Sequence, residues 1–448
     1  MKRLSLYLTL GVVAIGVLVL ARLIGVSDSI ASSGLTVPID ASSPAVVEGP
    51  LVHTEARSGR IDYRLLDFRL TTMMADPQMV GLAVAVVEDG EVTFAKGYGE
   101  TLAGSRDPVT VDTVFRWASL SKGIASTLLA MLEEDGEIDL DAPVTHYQHS
   151  LRLPNGGERQ ARVVDLLSHR LGLTRNAFDG KLEDGEDPRA LRGDLATVDS
   201  PCPPGDCFNY QNIAYDAASE MVSAVSDMSY ETAAQRMLFT PLGMDSASLT
   251  RRGLMASESW ARSHDRERNE VEVVEPYYRI PAAGGMNGSI RDLARWMQVQ
   301  MGEAPGIVSP AVLRRIHAPV VRTDREDRRN RRYSERIEDT WYGLGWRIYR
   351  YAGHELIVHR GAVRGYRAAI MFDPRLRTGI VVLSNSDSGR PFAIPMDLFD
   401  DLYGLPDEHW IENSAPEELR QKMAEAASEP VDAPAEEPMI EGRRRPDR

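Results

Sequence analysis

Phe115-Arg116-Trp117-Ala118-Ser119-Leu120-Ser121-Lys122 is the stretch on which the reading of this chain turns. A hydroxyl and an amine three residues apart share one face of a helix, so Ser119 and Lys122 point the same way. Behind them Gly123 to Met131 is small and apolar. Ile124, Leu128, Leu129 and Leu132 recur at helical spacing, and Gly136 is a stop signal, which predicts a helix over Ser119–Glu134. A lysine at the head of a buried helix is costly to desolvate, and burial lowers its pKa. Such a lysine can take a proton from a nearby serine and make it a nucleophile. Alone, a serine three residues before a lysine is a frequent chance match. The remainder of the chain has to supply the context.

Outward from this point the pattern changes twice. Arg60 to Ala75 carries Ile61, Leu65, Phe68 and Thr72 at helical spacing. Val80–Val87 and Val92–Tyr98 read as two strands joined by the turn Glu88-Asp89-Gly90-Glu91. From Asp112 to Pro319 the pattern is mostly helical, with pieces at Val163–Ser168, Asn212–Val225, Tyr230–Phe239 and Ser289–Gln300. Ser289 and Asp292 stand in the last of these as a capping box. Strand signals resume at Tyr342–Ile348, Glu355–His359, Tyr366–Phe372 and Thr378–Leu383, and Phe392–Tyr403 is an amphipathic helix. Strands at both ends bracket a helical middle. The economical arrangement is an α+β fold (an α/β sandwich): one antiparallel sheet built from both ends, flanked by terminal helices, with a mostly helical insertion at about 112–319. A cleft forms where two such parts meet.

The 448 residues suffice for one large domain or two modest ones. A net charge of −15 argues against a nucleic-acid partner. Met1-Lys2-Arg3 precedes a mostly apolar run to Val26, which reads as a membrane anchor or signal segment, 1–26. Its length favours an uncleaved anchor, although Ser29-Ile30-Ala31 offers a cleavage site. The basic start keeps the N-terminus inside, so the domain beyond is expected to be exported. Residues 27–59 read as a linker, 60–405 as the folded domain and 406–448 as a disordered tail. Arg322 to Asp339, crowded with mixed charge, reads as a solvated excursion.

Three further groups could carry chemistry. Tyr210 and Asn212, two apart in an extended segment, would face one side: tyrosine can trade protons and asparagine can hold an amide. A core tyrosine followed by an asparagine N-cap is the alternative. His359-Arg360-Gly361 ends a strand, where a glycine lets another backbone approach, although a surface histidine on an edge strand fits as well. Cys202 and Cys207, the two cysteines of the chain, close a tight loop and are expected to be joined in an oxidising compartment. His354, Glu355 and His359 resemble a zinc motif, but the histidines are five apart on strand-like sequence, not four apart on a helix. No metal and no cofactor are expected.

Taken in order, Ser119/Lys122 as S-x-x-K, Tyr210/Asn212 as Y-x-N and His359-Arg360-Gly361 at the place of K-T-G resemble the serine β-lactamase and penicillin-binding-protein superfamily, in its class C-like branch. Similar stretches surround them: Val164-Asp165-Leu166-Leu167-Ser168-His169 with Gly172-Leu173, Pro241-Leu242-Gly243-Met244, Pro281-Ala282-Ala283-Gly284-Gly285-Met286 and Tyr342-Gly343-Leu344-Gly345-Trp346. The resemblance covers about Arg60 to Tyr403 and implies a β-lactamase/transpeptidase-like fold. It implies an exported serine hydrolase forming an acyl-enzyme on Ser119, with Lys122 and Tyr210 sharing the proton work. The backbone N–H groups of Ser119 and Ala362 would form the oxyanion hole, and Asn212 would orient the substrate amide. D-amino-acid peptides and small carboxylic esters are the implied substrates. A class C-like β-lactamase or a non-catalytic cell-wall peptide binder are the alternatives. Two departures stand out. His359 replaces the lysine and can still donate a hydrogen bond, with a charge that depends on pH. Arg360 replaces the middle hydroxyl residue, and either binds a carboxylate or points away on the alternating strand.

Overall fold

The computed structural model describes residues 51–52, 61–323 and 333–415, with 417, 420 and 421. The expected anchor, most of the linker, the middle of the arginine-rich excursion and most of the tail lie outside the described residues. Among the described residues no helix is long and apolar enough to cross a membrane.

Two runs of β-branched and small apolar residues build the sheet from opposite ends of the chain. From the N-terminal part come β1 (Leu51–Val52), β2 (Gly81–Glu88) and β3 (Glu91–Gly99). A short pair apart from the sheet is formed by β4 (Phe115–Ala118) and β5 (Met286–Gly288). The C-terminal part gives β6 (Val321–Arg322), β7 (Ile337–Tyr342), β8 (Arg347–Tyr351), β9 (His354–Val363), β10 (Tyr366–Asp373) and β11 (Thr378–Ser384). Among the described residues they pair antiparallel in the order β1-β3-β2-β11-β10-β9-β8-β7-β6. Leu51–Val52, inside the stretch read as a linker, thus adds an edge strand against Ala95 and Phe94. Tyr342–Ile348, expected as one strand, is a turn between two strands: Gly343 N–H donates to Trp346 O at 2.8 Å.

Side-chain alternation splits the core in two. Ala83, Ala85 and Val87 of β2 face the helical insertion, including α2 (Ser121–Glu134) and α5 (Ile290–Gln300). Leu82, Val84 and Val86 face the terminal helices α1 (Tyr63–Met73) and α7 (Ile394–Tyr403). Between α2 and α5 lie α3 (Asp179–Glu183) and α4 (Ala217–Ser226), and α6 (Pro310–His317) follows α5. The capping box at α5 is present: Ser289 Oγ accepts from Asp292 N–H and Asp292 Oδ2 from Ser289 N–H, both at 3.1 Å.

Helix α1 forms where its periodicity places it but buries a different face. Leu66, Arg69, Leu70 and Met73 are inside, while Leu65 and Phe68 stay 36% and 65% exposed. The cause is Arg69, whose guanidinium pairs with Asp397 at 2.8 Å, Glu412 at 3.2 Å and Asp407. The same network corrects the reading of residues 406–415 as part of a disordered tail. Trp410–Asn413 forms α8, Ile411 is fully buried, and the Arg390 guanidinium donates to Ile411 O at 3.2 Å and Ser414 Oγ at 3.2 Å.

Cys202 and Cys207 are joined, with Cα atoms 6.3 Å apart. The loop they close is held from below by Arg170, whose carbonyl accepts from Gly205 N–H at 2.7 Å and whose guanidinium donates to Gly205 O at 2.9 Å. It leads directly into Phe208-Asn209-Tyr210. Closing so short a loop is worth about 2 kcal/mol in the chain-entropy account.

Ile411→Ala should cost about 2–5 kcal/mol, the usual range for emptying a buried apolar site. Chemical denaturation measures it. A loss below about 0.5 kcal/mol, typical of a surface position, would remove the segment from the core.

Candidate active site

The nucleophile candidate sits at a forced corner. β4 is locked to β5 by its ladder and by the Trp117 indole N–H, which donates to Gly288 O at 3.0 Å. The chain must then leave the strand sharply, and Ala118 turns it at φ 49°, the left-handed region that costs an L-residue about 1–2 kcal/mol. Ser121 Oγ pins the turn, donating to Ala118 O at 2.6 Å and accepting from Met286 N–H at 3.0 Å. Helix α2 therefore begins at Ser121, two residues later than its periodicity predicts, and Ser119 stands half-buried at its mouth.

Lys122 follows in the first turn with no exposed surface. Its Nζ lies 2.8 Å from Asn212 Oδ1, 2.9 Å from Ala283 O and 3.4 Å from Ser119 Oγ. Burial pushes its pKa below the ordinary lysine value. The Tyr210 phenol and the Asp179 carboxylate pull it back up, and the positive charge of Arg347 pushes it further down. Two elements hold the lysine in place. Tyr215 Oη donates to Lys122 O at 2.9 Å, and Asp216 Oδ1 accepts from Ala282 N–H at 3.0 Å, next to the carbonyl that Lys122 meets.

Asn212 is committed at both ends of its amide. Its oxygen faces Lys122, and its Nδ2 donates to Asp179 Oδ2 at 2.7 Å. It thus positions the lysine, a task the expected substrate contact did not include. Asp179, the first residue of α3, is a site residue that sequence reasoning missed; burial raises its pKa. The Tyr210 ring centroid lies 4.7 Å from Lys122 Nζ and 4.3 Å from the His169 ring.

On the sheet side, His359 is buried and its hydrogen bonds fix its form. His169 Nδ1 accepts from Gln211 N–H at 3.2 Å, so its Nε2 carries the proton and donates to Tyr342 Oη at 3.2 Å. Tyr342 then donates to His359 Nε2 at 3.1 Å, Arg347 Nη1 donates to the same nitrogen at 3.1 Å, and His359 Nδ1–H faces Arg360 O at 3.1 Å. Burial and the charges of Arg347 and Lys122 hold both imidazoles well below the ordinary histidine range. His359 is therefore a neutral acceptor at its cleft-side nitrogen. This corrects the expectation of a donor whose charge follows pH.

Arg360 is corrected too. Strand alternation sends it to the opposite face of the sheet, where its guanidinium carbon lies 5.4 Å from the Phe392 ring and 6.0 Å from Tyr333. It does not line the cleft. Gly361 does: a Cβ there would stand 2.2 Å from Trp117 O, so only glycine lets β9 close onto β4. Ala362 follows, exposed, on the same strand. The zinc pattern dissolves geometrically, since His354 stacks on Tyr403 of α7 at 3.7 Å while His359 faces the cleft. Glu133, Asp139 and Asp141 also gather their carboxylates, but Arg315 pairs with Glu133 at 3.0 Å and with Asp141 at 2.9 Å.

Residues 66–404 match the family model described as Beta-lactamase. The chain is 26% identical over 365 residues to the Unguisins hydrolase ungD' of Aspergillus campestris (strain IBT 28561), covering 77% of this chain and 66% of that protein. It is 26% identical to the D-aminopeptidase of Gluconobacter oxydans (strain 621H), covering 73% of this chain and 60% of the relative. The chain thus spans slightly under two thirds of the length of these relatives. The octameric penicillin-binding protein homologue from Pyrococcus abyssi superposes with a TM-score of 0.70 at 26% identity, covering 78% of this chain and 79% of that one. A class C beta-lactamase shares the fold with a TM-score of 0.63 at 21% identity, over 76% of this chain and 96% of that one. With the family model matched across residues 66–404, on a fold that the solved relatives share, the chain belongs to the Beta-lactamase family.

Proposed function

We propose that this protein is an exported hydrolase that forms an acyl-enzyme on Ser119 and cleaves amides or esters, with peptides of D-amino acids as its leading substrate class. The observation that carries the mechanism is the set of contacts around Lys122. As a neutral amine it has two N–H bonds and one lone pair. Asn212 Oδ1 and Ala283 O offer only acceptor oxygens, at 2.8 and 2.9 Å, so they take the two hydrogens. The lone pair is left for the Ser119 hydroxyl at 3.4 Å.

Ser119 Oγ gives its proton toward Lys122 and Tyr210 and attacks the carbonyl carbon. The bond to the leaving nitrogen or oxygen breaks as that atom takes the proton. Water then attacks the acyl carbon, the bond from that carbon to Ser119 Oγ breaks as Oγ takes back a proton from the water, and the acid leaves. The tetrahedral oxyanion falls to the N–H groups of Ser119 and Ala362, which Gly361 lets approach; each such donor is worth on the order of 3 kcal/mol. Asn212 keeps one N–H and one lone pair beyond its two bonds, enough to contact a substrate amide. The substrate class is supported by the relatives named D-aminopeptidase and Unguisins hydrolase. It is supported also by the absence of a positive or hydroxyl side chain from the cleft face of His359-Arg360-Gly361. The charged start Met1-Lys2-Arg3, the apolar run behind it and the Cys202–Cys207 bond support export.

Three experiments test this reading. A fluorophosphonate probe should label Ser119. The labelling rate should rise with pH and level off below the ordinary lysine range, because only neutral Lys122 accepts a proton and its pKa is lowered. Lys122→Ala should cut the rate roughly 10²–10⁴-fold, and an unchanged rate in that variant would end the role. In a substrate panel, D-aminoacyl peptide amides and p-nitrophenyl esters should turn over faster than nitrocefin; the reverse order would identify a β-lactamase. Mass spectrometry of protein isolated without reductant should find Cys202 and Cys207 joined, whereas free alkylatable thiols would contradict export.

A further inference from the structure

The strand that closes the cleft carries no cation on its cleft face, because His359 is neutral and Arg360 points away. The positive charge on this side comes from the neighbouring strand. Arg347 opens β8, opposite Tyr342 on β7 and Val358 on β9. It is 7% exposed. Its Nη1 donates to His359 Nε2 at 3.1 Å. Its guanidinium carbon lies 5.3 Å from the Tyr210 ring centroid and 5.5 Å from that of Tyr342. A guanidinium stays charged at any working pH, so this charge is permanent where a histidine's would not be.

We propose that Arg347 is the positioning cation of this site: bonded to His359 and set against the rings of Tyr210 and Tyr342, it supplies the fixed positive charge on the sheet side against which Lys122 and Tyr210 exchange the serine's proton. The proposal rests on the acyl-enzyme reading above and deepens it.

Two consequences follow from the geometry. First, Arg347 and Tyr342 both donate to His359 Nε2, which leaves that nitrogen no room for a proton of its own. The neutral Nδ1–H form is thereby fixed, and through Tyr342 and His169 the chain runs on to the backbone of Gln211, between Tyr210 and Asn212. Second, Arg347 and Lys122 Nζ both lie against the Tyr210 ring, at 5.3 and 4.7 Å, so a second cation at Lys122 is disfavoured. The charged and titratable groups facing Lys122 are Tyr210 and Asp179, which favour its proton, and Arg347, which opposes it. Tyr215 lies 5.4 Å from Nζ by its ring, and burial keeps its phenol protonated. His359 is faced by Arg347, Lys122 and His169, all of which oppose its proton, and by the Arg360 carbonyl, which favours it.

The test is the pH profile of Ser119 labelling by a fluorophosphonate in wild type, Arg347→Met and Arg347→Lys. In Arg347→Met the acidic limb should move to higher pH by about one unit, so that labelling at neutral pH falls roughly tenfold and recovers in alkali. Arg347→Lys keeps the charge and should return the limb most of the way. A lowered rate at every pH with the limb unmoved would make Arg347 a packing residue and overturn the proposal. Should the variants fail to fold, nitrogen NMR of the histidines in the wild-type chain decides it: His359 should remain the neutral Nδ1–H form at pH 5, and titration near the ordinary value of about 6.5 would refute the contact. If wild-type Ser119 takes no label at all, the acyl-enzyme reading fails, an outcome distinct from either result for Arg347.

Discussion

Lys122 has no exposed surface, and a lone ammonium buried this way would cost several kcal/mol. Much of the molecule around it answers to that single constraint. Two carbonyl oxygens stand within 2.9 Å of Nζ, each fixed by something else: Asn212 by Asp179, and the Ala282–Ala283 turn by Asp216. Asp216 is itself buried, and its pKa rises to about 7 despite the Arg192 guanidinium 2.9 Å away. One desolvated amine thus recruits an amide, two carboxylates and a guanidinium. The same desolvation that makes this expensive lowers the pKa of the amine below the ordinary lysine value.

The second constraint is proximity of backbones. β4 and β9 come together only because position 361 has no Cβ, and the Gly343–Trp346 turn seats on α2 only because position 345 has none. A Cβ at Gly345 would stand 2.6 Å from Lys122 O, and its φ of +76° suits glycine alone. Gly123 plays the matching part on α2, where a Cβ would press within 2.8 Å of the Trp346 ring. These glycines set the cleft's width, and Ala118, strained at φ 49°, sets the angle at which Ser119 enters it.

The fold was legible where one periodicity governs a whole element. The β2–β3 hairpin, the α5 capping box and the order of sheet, helical insertion and sheet all follow from apolar spacing. It was illegible where a long-range charge overrides spacing. Arg69 sits on an otherwise apolar face of α1 only because Asp397, Asp407 and Glu412 arrive from more than 300 residues away. The same arginine makes an ordered helix of a segment whose composition reads as tail. In the site, Ser119, Lys122, Tyr210, Asn212, His359 and Gly361 were visible because short motifs carry them. Asp179 and Arg347 were not. Each lies outside those motifs, and nothing in a helix's first residue or a strand's first arginine marks it before the chain is folded.

The position of Arg347 explains how a cleft can lose a lysine from one strand without losing its field. Antiparallel neighbours are about 5 Å apart, and an arginine side chain reaches further than that. A cation moved from β9 to position 347 on β8, opposite Val358 and next to His359, can therefore act on the same space, provided the residue left behind on β9 accepts a hydrogen bond and carries no charge of its own. Histidine in its Nδ1–H form meets both conditions. A lysine at 359 would meet neither, since its ammonium is charged and offers no acceptor to the guanidinium that donates to His359 Nε2. The identities at 347 and 359 are thus one choice made twice, and the substitution that looked like a weakened motif is half of an intact electrostatic pair.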